Sequence, residues 1–174
     1  MGAWASAVAP LAFLAAAIAS PGVFGAGPPD LVEELVLGLD PEVPLGKIFD
    51  VAVDSKGNIY VLDGGFDVIR KYTADGIWSA DLGGKGEGPG MFYAPNCLAV
   101  GPGDRYYVAG QSSLITILTA EGKPVGQIKR AHTSRVQSMA VDARGDIYTV
   151  SLDPSSHEMI LSQRRASDHA CGPR

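Results

Sequence analysis

Six ionisable side chains lie in turn-like stretches of this sequence: Asp63, Asp67, Glu87 and Asp153 among the acids, His132 and His157 among the histidines. Carboxylates gathered at one place suit calcium, a hard cation that takes oxygen ligands, and histidines suit zinc. None of these residues falls at the close spacing of a metal-ligand motif, and a solvated loop side chain is the plainer reading of each. The third histidine, His169, sits in the tail. Ser134 and His132 share a loop, but no acid can be assigned to orient the imidazole, so no nucleophilic triad is read. No cofactor is expected; calcium and zinc are the two that the residue types would suit.

The stretch Gly83–Phe92, "GGKGEGPGMF", contains a G-x-G spacing that nucleotide sites also use. A dinucleotide fingerprint must open a helix whose N-terminus meets the pyrophosphate, and no helical pattern follows Gly86. A P-loop needs Ser or Thr after its Gly-Lys, and here Gly86 follows Lys85. The stretch therefore reads as a structural connector. Cys97 and Cys171 make neither a disulfide framework nor a zinc cluster, and Cys97, beside the apolar run Leu98–Val100, reads as a small buried hydrophobe.

The elements that hold these residues must be short. Of 174 residues, 22 are Gly and 12 Pro, with 46% hydrophobic and 19% charged side chains. That composition is globular and turn-rich, which favours strands over long helices. Formal net charge is −5, and residues 30 to 128 carry fourteen acids against seven bases. Nucleic-acid binding needs a clustered basic surface, so an acidic body argues against it.

The first charged side chain is Asp30, and the apolar stretch before it includes Ala17-Ile18-Ala19, a small-x-small pattern that signal peptidase accepts. Residues 1–19 read as a secretory signal peptide, which implies a secreted or periplasmic protein. The absence of Lys and Arg from the first residues leaves an uncleaved membrane anchor as the alternative. Residues 20–47 read as a linker with an outer-strand segment at "LVEELVLGL", whose pattern also fits a helical face.

An internal repeat organises the rest. Residues 50–63 read "DVAVDSKGNIYVLD", 97–110 "CLAVGPGDRYYVAG" and 138–151 "SMAVDARGDIYTVS", with Ala52, Ala99 and Ala140 in register. Each unit predicts a short buried strand, a polar turn and a returning strand rich in β-branched and aromatic residues. Gly57 and Gly145 sit where the reversal needs positive φ. The stretch "VIRKYTADG" at 68–76 and its echo "ITILTAEG" at 115–122 add a third strand, and Ile77–Leu82 and Pro124–Ile128 a fourth. Four antiparallel strands in roughly forty residues make one propeller blade.

The combination of "GEGPGMFYAPNCLAV" before a unit with "AVDSKGNIYVLD" and "VIRKYTADG" inside one resembles the NHL-repeat and related six-bladed β-propeller proteins, over about residues 48–163. The resemblance implies an all-β array of four-stranded blades at 48–84, 95–130 and 136–163, an incomplete six-bladed propeller, with a disordered tail at 164–174. It also implies that the connections between blades and the turns between second and third strands share one face. On that face stand the ligand-loop candidates Asp63, Asp67, Glu87, Gln111, Arg130, His132, Asp153 and His157. Gly83–Phe92 becomes the crossing from an outer strand to the next inner strand, with Phe92 packed between blades. The expected function is a binding scaffold for a protein or small-molecule ligand; the alternative is a fragment of a metal-dependent propeller lyase or hydrolase.

Two departures and a shortfall accompany the resemblance. Gly101 replaces the Asp of the other two units, and Arg105-Tyr106 replaces their small polar residue and Ile. A closed six-bladed ring needs roughly 250 residues at this period. If each unpaired blade face exposes on the order of 500 Å² of apolar surface, the cost is about 12 kcal/mol per face. Two such faces exceed the net stability of a typical domain. Closing the ring therefore requires missing blades or self-association.

Overall fold

Short apolar runs punctuated by Asp and Gly turns fold into antiparallel meanders. The computed structural model describes residues 34–86, 88–130, 134–153 and 155–165. The chain divides into two compact units, Met1–Glu34 and Leu35–Arg174, and all described residues but Glu34 belong to the second. The signal-peptide segment, and with it the localisation reading, lies outside the described residues, as do Glu87, His132 and almost all of the tail.

Eleven strands occur among the described residues. The first sheet is β1 (Ile48–Val53), β2 (Ile59–Asp63), β3 (Val68–Tyr72) and β4 (Trp78–Leu82), paired in that order. The second is β5 (Pro95–Gly101), β6 (Arg105–Gly110), β7 (Leu114–Leu118) and β8 (Pro124–Lys129), again in sequence order. The third holds β9 (Val136–Val141), β10 (Ile147–Leu152) and β11 (Met159–Arg164). Every pairing is antiparallel, with the repeat in register: Ala52 faces Tyr60, Ala99 faces Tyr107 and Ala140 faces Tyr148. Gly57 and Gly145 take φ of 82° and 87°, the left-handed values their turns require.

Two cores lie between successive sheets. Tyr60, Leu62, Ile69 and Leu82 of the first sheet meet Leu98, Tyr106, Val108 and Leu118 of the second. On the other side of the second sheet, Tyr107, Ile115, Ile117 and Ile128 meet Val136 and Ile147 of the third. Strand alternation makes this division: neighbouring residues point to opposite faces, so Tyr106 and Tyr107 serve different cores. The first-edge strands β1, β5 and β9 lie side by side. Phe92 of the Gly83–Phe92 connection is buried in the first core, and its backbone is pinned by Phe92 N–H to Gly84 O (2.8 Å) and Gly86 N–H to Phe92 O (2.7 Å).

Two expectations about elements change. The triplet Val51–Val53 belongs to a strand, but not to a buried one: Val51 and Val53 are 53% and 55% exposed, because no sheet among the described residues lies against that face of β1. Residues 35–47 contain no strand and no helix. Gly38 at φ 84°, a turn closed by Val43 N–H on Asp40 O, and Pro41 and Pro44 break any ladder there.

Candidate functional site

Because the strands alternate direction, one end of the three sheets collects the starts of β1, β5 and β9, the second turns (64–67, 111–113 and 153–158) and the connections 83–94 and 130–135. The opposite end carries the first turns, at 54–58, 102–104 and 142–146. Six of the eight loop candidates are described, and all six fall at the former end.

Three of those six hold the loops together. Asp63 is fully buried at the end of β2, where it accepts hydrogen bonds from Gly46 N–H (2.8 Å), Lys47 N–H (3.1 Å), Gly65 N–H (3.0 Å) and Arg70 Nε (3.3 Å). Burial alone would raise its pKa, but the Gly46 and Gly65 amides and the Arg70 guanidinium outweigh burial and hold it below the ordinary carboxylate value. Asp63 is thus an architectural anion beneath the surface and is not open to a ligand. Arg130 spreads its guanidinium over Ser134 O (2.8 Å) and Ser112 O (2.6 Å), tying the β6–β7 turn to the approach to β9. Burial lowers its pKa, while it remains a cation at any physiological pH. Asp153 caps its own turn, accepting from Ser155 N–H (2.7 Å) and Ser156 N–H (3.1 Å).

The other three stand at the loop surface. Asp67 and His157 occupy the left-handed region at φ 54° and 57°, each just ahead of the third strand of its sheet. Gln111 is exposed, and its N–H donates to Ala94 O (3.3 Å), joining the β6–β7 turn to the β4–β5 connection. Among the described residues no three His, Cys, Asp or Glu side chains are gathered as metal ligands.

Sequence reasoning missed the residues that open the inner strands. Lys47 Nζ lies 4.9 Å from the centroid of the Phe49 ring, and Arg135 Cζ lies 5.7 Å from the same centroid, so an aromatic ring in the first sheet is flanked by cations from the first and third. Lys47 and Arg135 precede Ala52 and Ala140 by the same interval, and that repeat position was the available signal. Between them, Asp50 accepts from Val51 N–H and Leu98 N–H (both 2.9 Å), linking β1 to β5. Asn96 Nδ2 donates to Val136 O, linking β5 to β9. Cys97 is buried beside it; burial first, and the Asp50 carboxylate second, push its thiol up to about 11. A thiol of that pKa is protonated at neutral pH and is a packing residue, not a nucleophile.

No protein-family model and no curated protein matches the chain. Solved structures do. A streptogramin B lyase structure is similar at 14% identity and TM-score 0.50, over 71% of this chain and 41% of that one. A catalytically inactive virginiamycin B lyase from Staphylococcus aureus, solved with quinupristin, is similar at 14% identity and TM-score 0.51, over 66% and 40%. The WD40 β-propeller domain of Doa1 is similar at 16% identity and TM-score 0.51, over 72% and 39%.

The fold is a β-propeller.

The three sheets are consecutive blades, with β1, β5 and β9 as their inner strands. The chain spans about two fifths of the length of each of these structures. Their low identity carries the fold and nothing about activity. The described candidate residues accordingly lie at one end of these three blades, around the start of the inner strands.

Proposed function

We propose that the chain is an exported, NHL-type propeller module that works as a binding scaffold, offering one end of its blades to a ligand. The observation that carries this reading is the gathering of Lys47, Phe49 and Arg135 at the mouth of the inner strands, beside turns whose backbone is fixed by Asp63, Arg130 and Asp153. Cations over a partly buried ring, held by a rigid frame, suit recognition more than chemistry: among the described residues no activated nucleophile and no acid–base pair accompanies them. Binding sites are commonly carried on loops of such scaffolds. The export component rests on the apolar residues 1–19, and the NHL component on the repeat motifs.

The test is a capture experiment with the purified 174-residue chain immobilised and exposed to proteins secreted by its own source. A specific partner should be lost when Lys47 and Arg135 are both changed to Glu. The same partner should be retained when Lys56 and Arg144, exposed at the opposite end, are changed to Glu. Equal loss from both ends, or no specific partner, overturns the reading. Metal analysis of the same preparation separates the enzyme alternative: a stoichiometric metal removed by Asp67→Asn or His157→Ala would replace the scaffold reading.

A further inference from the structure

The segment before β1 occupies a place that the repeat uses for something else. Gly122, in the β7–β8 turn of the second blade, lies under Leu82 of β4, the outer strand of the blade before it; a Cβ on Gly122 would fall 2.8 Å from Leu82 Cδ2. Gly76 holds the equivalent position in the first blade, in Thr73-Ala74-Asp75-Gly76 against Thr119-Ala120-Glu121-Gly122, and both glycines have nearly the same φ, 79° and 78°. What lies over Gly76 is Leu35 and Leu37: a Cβ there would fall 2.5 Å from Leu35 Cδ1 and 3.1 Å from Leu37 Cδ2. The segment then crosses the blade towards the start of β1. Pro44 O accepts from Arg70 Nη2 (3.0 Å), and the Gly46 and Lys47 amides reach Asp63. Leu35–Leu37 therefore stand where the outer strand of a preceding blade would stand, with no inner strands beside them among the described residues.

The third blade has the opposite composition. It has β9, β10 and β11 and, among the described residues, no fourth strand. Strand alternation and the cross-strand pairs Val150–Leu161 and Leu152–Met159 place these four side chains on the face turned away from the second blade. Met159 and Leu161 are 55% and 72% exposed there. On the first blade, Val51 and Val53 are bare where the inner strands of a neighbour would lie. They are the repeat equivalents of Leu98 and Val100, which do meet a preceding blade.

We propose that two copies of this chain close one ring: the third blade of each docks on the first blade of the other and packs against the other copy's Leu35–Leu39 in the place of a fourth strand. A second copy is the occupant the surfaces select. One copy supplies a three-stranded blade with an apolar outer face; the other supplies a bare inner half-face and the missing outer segment. A two-fold axis satisfies both pairs at once and leaves no open end, whereas any other stacking of these faces leaves one. Two copies, each spanning about two fifths of a similar propeller, also approach the length of a whole one.

Sedimentation equilibrium on the 174-residue chain tests this. The expected particle is two copies, dissociating on dilution. Leu161→Asp and Leu39→Asp alter side chains that are 72% and 79% exposed, so each should leave the far-ultraviolet spectrum and the melting of the separated chain unchanged. Each should weaken association at least tenfold, and the two variants mixed should recover less than half of the native dimer. A monomer at every concentration, an open series of larger assemblies, or a dimer indifferent to both substitutions overturns the proposal.

Discussion

The Asp63 carboxylate accepts four hydrogen bonds in a site with no solvent exposure, and its partners explain both its apparent promise and its actual work. In sequence it precedes Gly64-Gly65 and looks like a loop-tip acid. Two of its donors, Gly65 and Arg70, are local, but Gly46 and Lys47 are 17 and 16 residues away, and no spacing rule reveals that the chain returns there. If Asp63 were removed, Arg70, buried against it, would keep only the part-exposed Asp81, at 3.0 Å from Nη1, to balance its charge. Asp63→Asn should cost about 3–5 kcal/mol of stability at pH 7, as breaking a buried pair usually does. Acid dependence follows from the same site. Asp63 and Asp54 both titrate below their ordinary value in the folded state, Asp54 because hydrogen bonds from Asn58, Lys56 and Tyr60 outweigh its burial. As pH falls through about 4, the unfolded chain takes up protons that the folded chain still refuses. Their stabilisation is complete above that range and is lost as pH drops through the folded values. Urea midpoints at pH 7 and pH 3 should therefore converge in Asp63→Asn relative to the native chain. A variant as stable as the native chain at pH 7 would show that the buried pair contributes nothing.

At the scale of the blade, most of the fold was legible because each strand repeats. Alignment of Ala52, Ala99 and Ala140 placed the inner hairpins, and Asp–Gly turns placed the reversals. Asp54 and Asp142 do the same job: each accepts from the amides two and four residues on, at 2.8–2.9 Å. The departure at Gly101 was visible but not its reason. A Cβ at Gly101 would lie 2.7 Å from both Tyr107 Cε2 and Val141 Cγ1, so the second blade gives up the turn Asp to let the third approach. Asp104, at φ 53°, takes over a different duty, accepting from Ser55 N–H (3.0 Å) and Ser55 Oγ (2.7 Å) to join adjacent blades. Restoring the repeat with Gly101→Asp should therefore destabilise, by about 1–3 kcal/mol from overpacking, although it improves the match to the other two units. Gly101→Ala should carry a large part of that cost. A stabilised Gly101→Asp in denaturant titration would mean that the turn hydrogen bonds outweigh the steric conflict.

The whole array behaves as a row of units whose stability comes from the interfaces between them. The second blade has a core on each side, whereas the third has one core and the bare face of Met159 and Leu161. The repeat tyrosine records the gradient: Tyr60 and Tyr107 are buried under a following blade, and Tyr148, with none, is half-buried and accepts a hydrogen bond from Gln163 Nε2 (3.1 Å). Tyr60 also stacks against Tyr106 with ring centroids 4.1 Å apart, giving the first interface an aromatic pair that the second lacks. The repeat count predicts unpaired blade faces but not which of them is better covered, because the shielding of Tyr72 and Arg70 by residues 35–47 depends on where that segment crosses the first blade. Amide hydrogen exchange should follow this order. At concentrations too low for association, β11 and the outer half of β10 should exchange first, through local opening that leaves the other blades folded. The amides of β2, β3, β6 and β7 should be protected longest, at the free energy of global unfolding. Raising the protein concentration should slow exchange in β11 more than in β6, since association would cover the former and leave the latter as it was. Equal protection across all three blades in the dilute protein would show a single cooperative unit and remove the interface gradient as the source of stability.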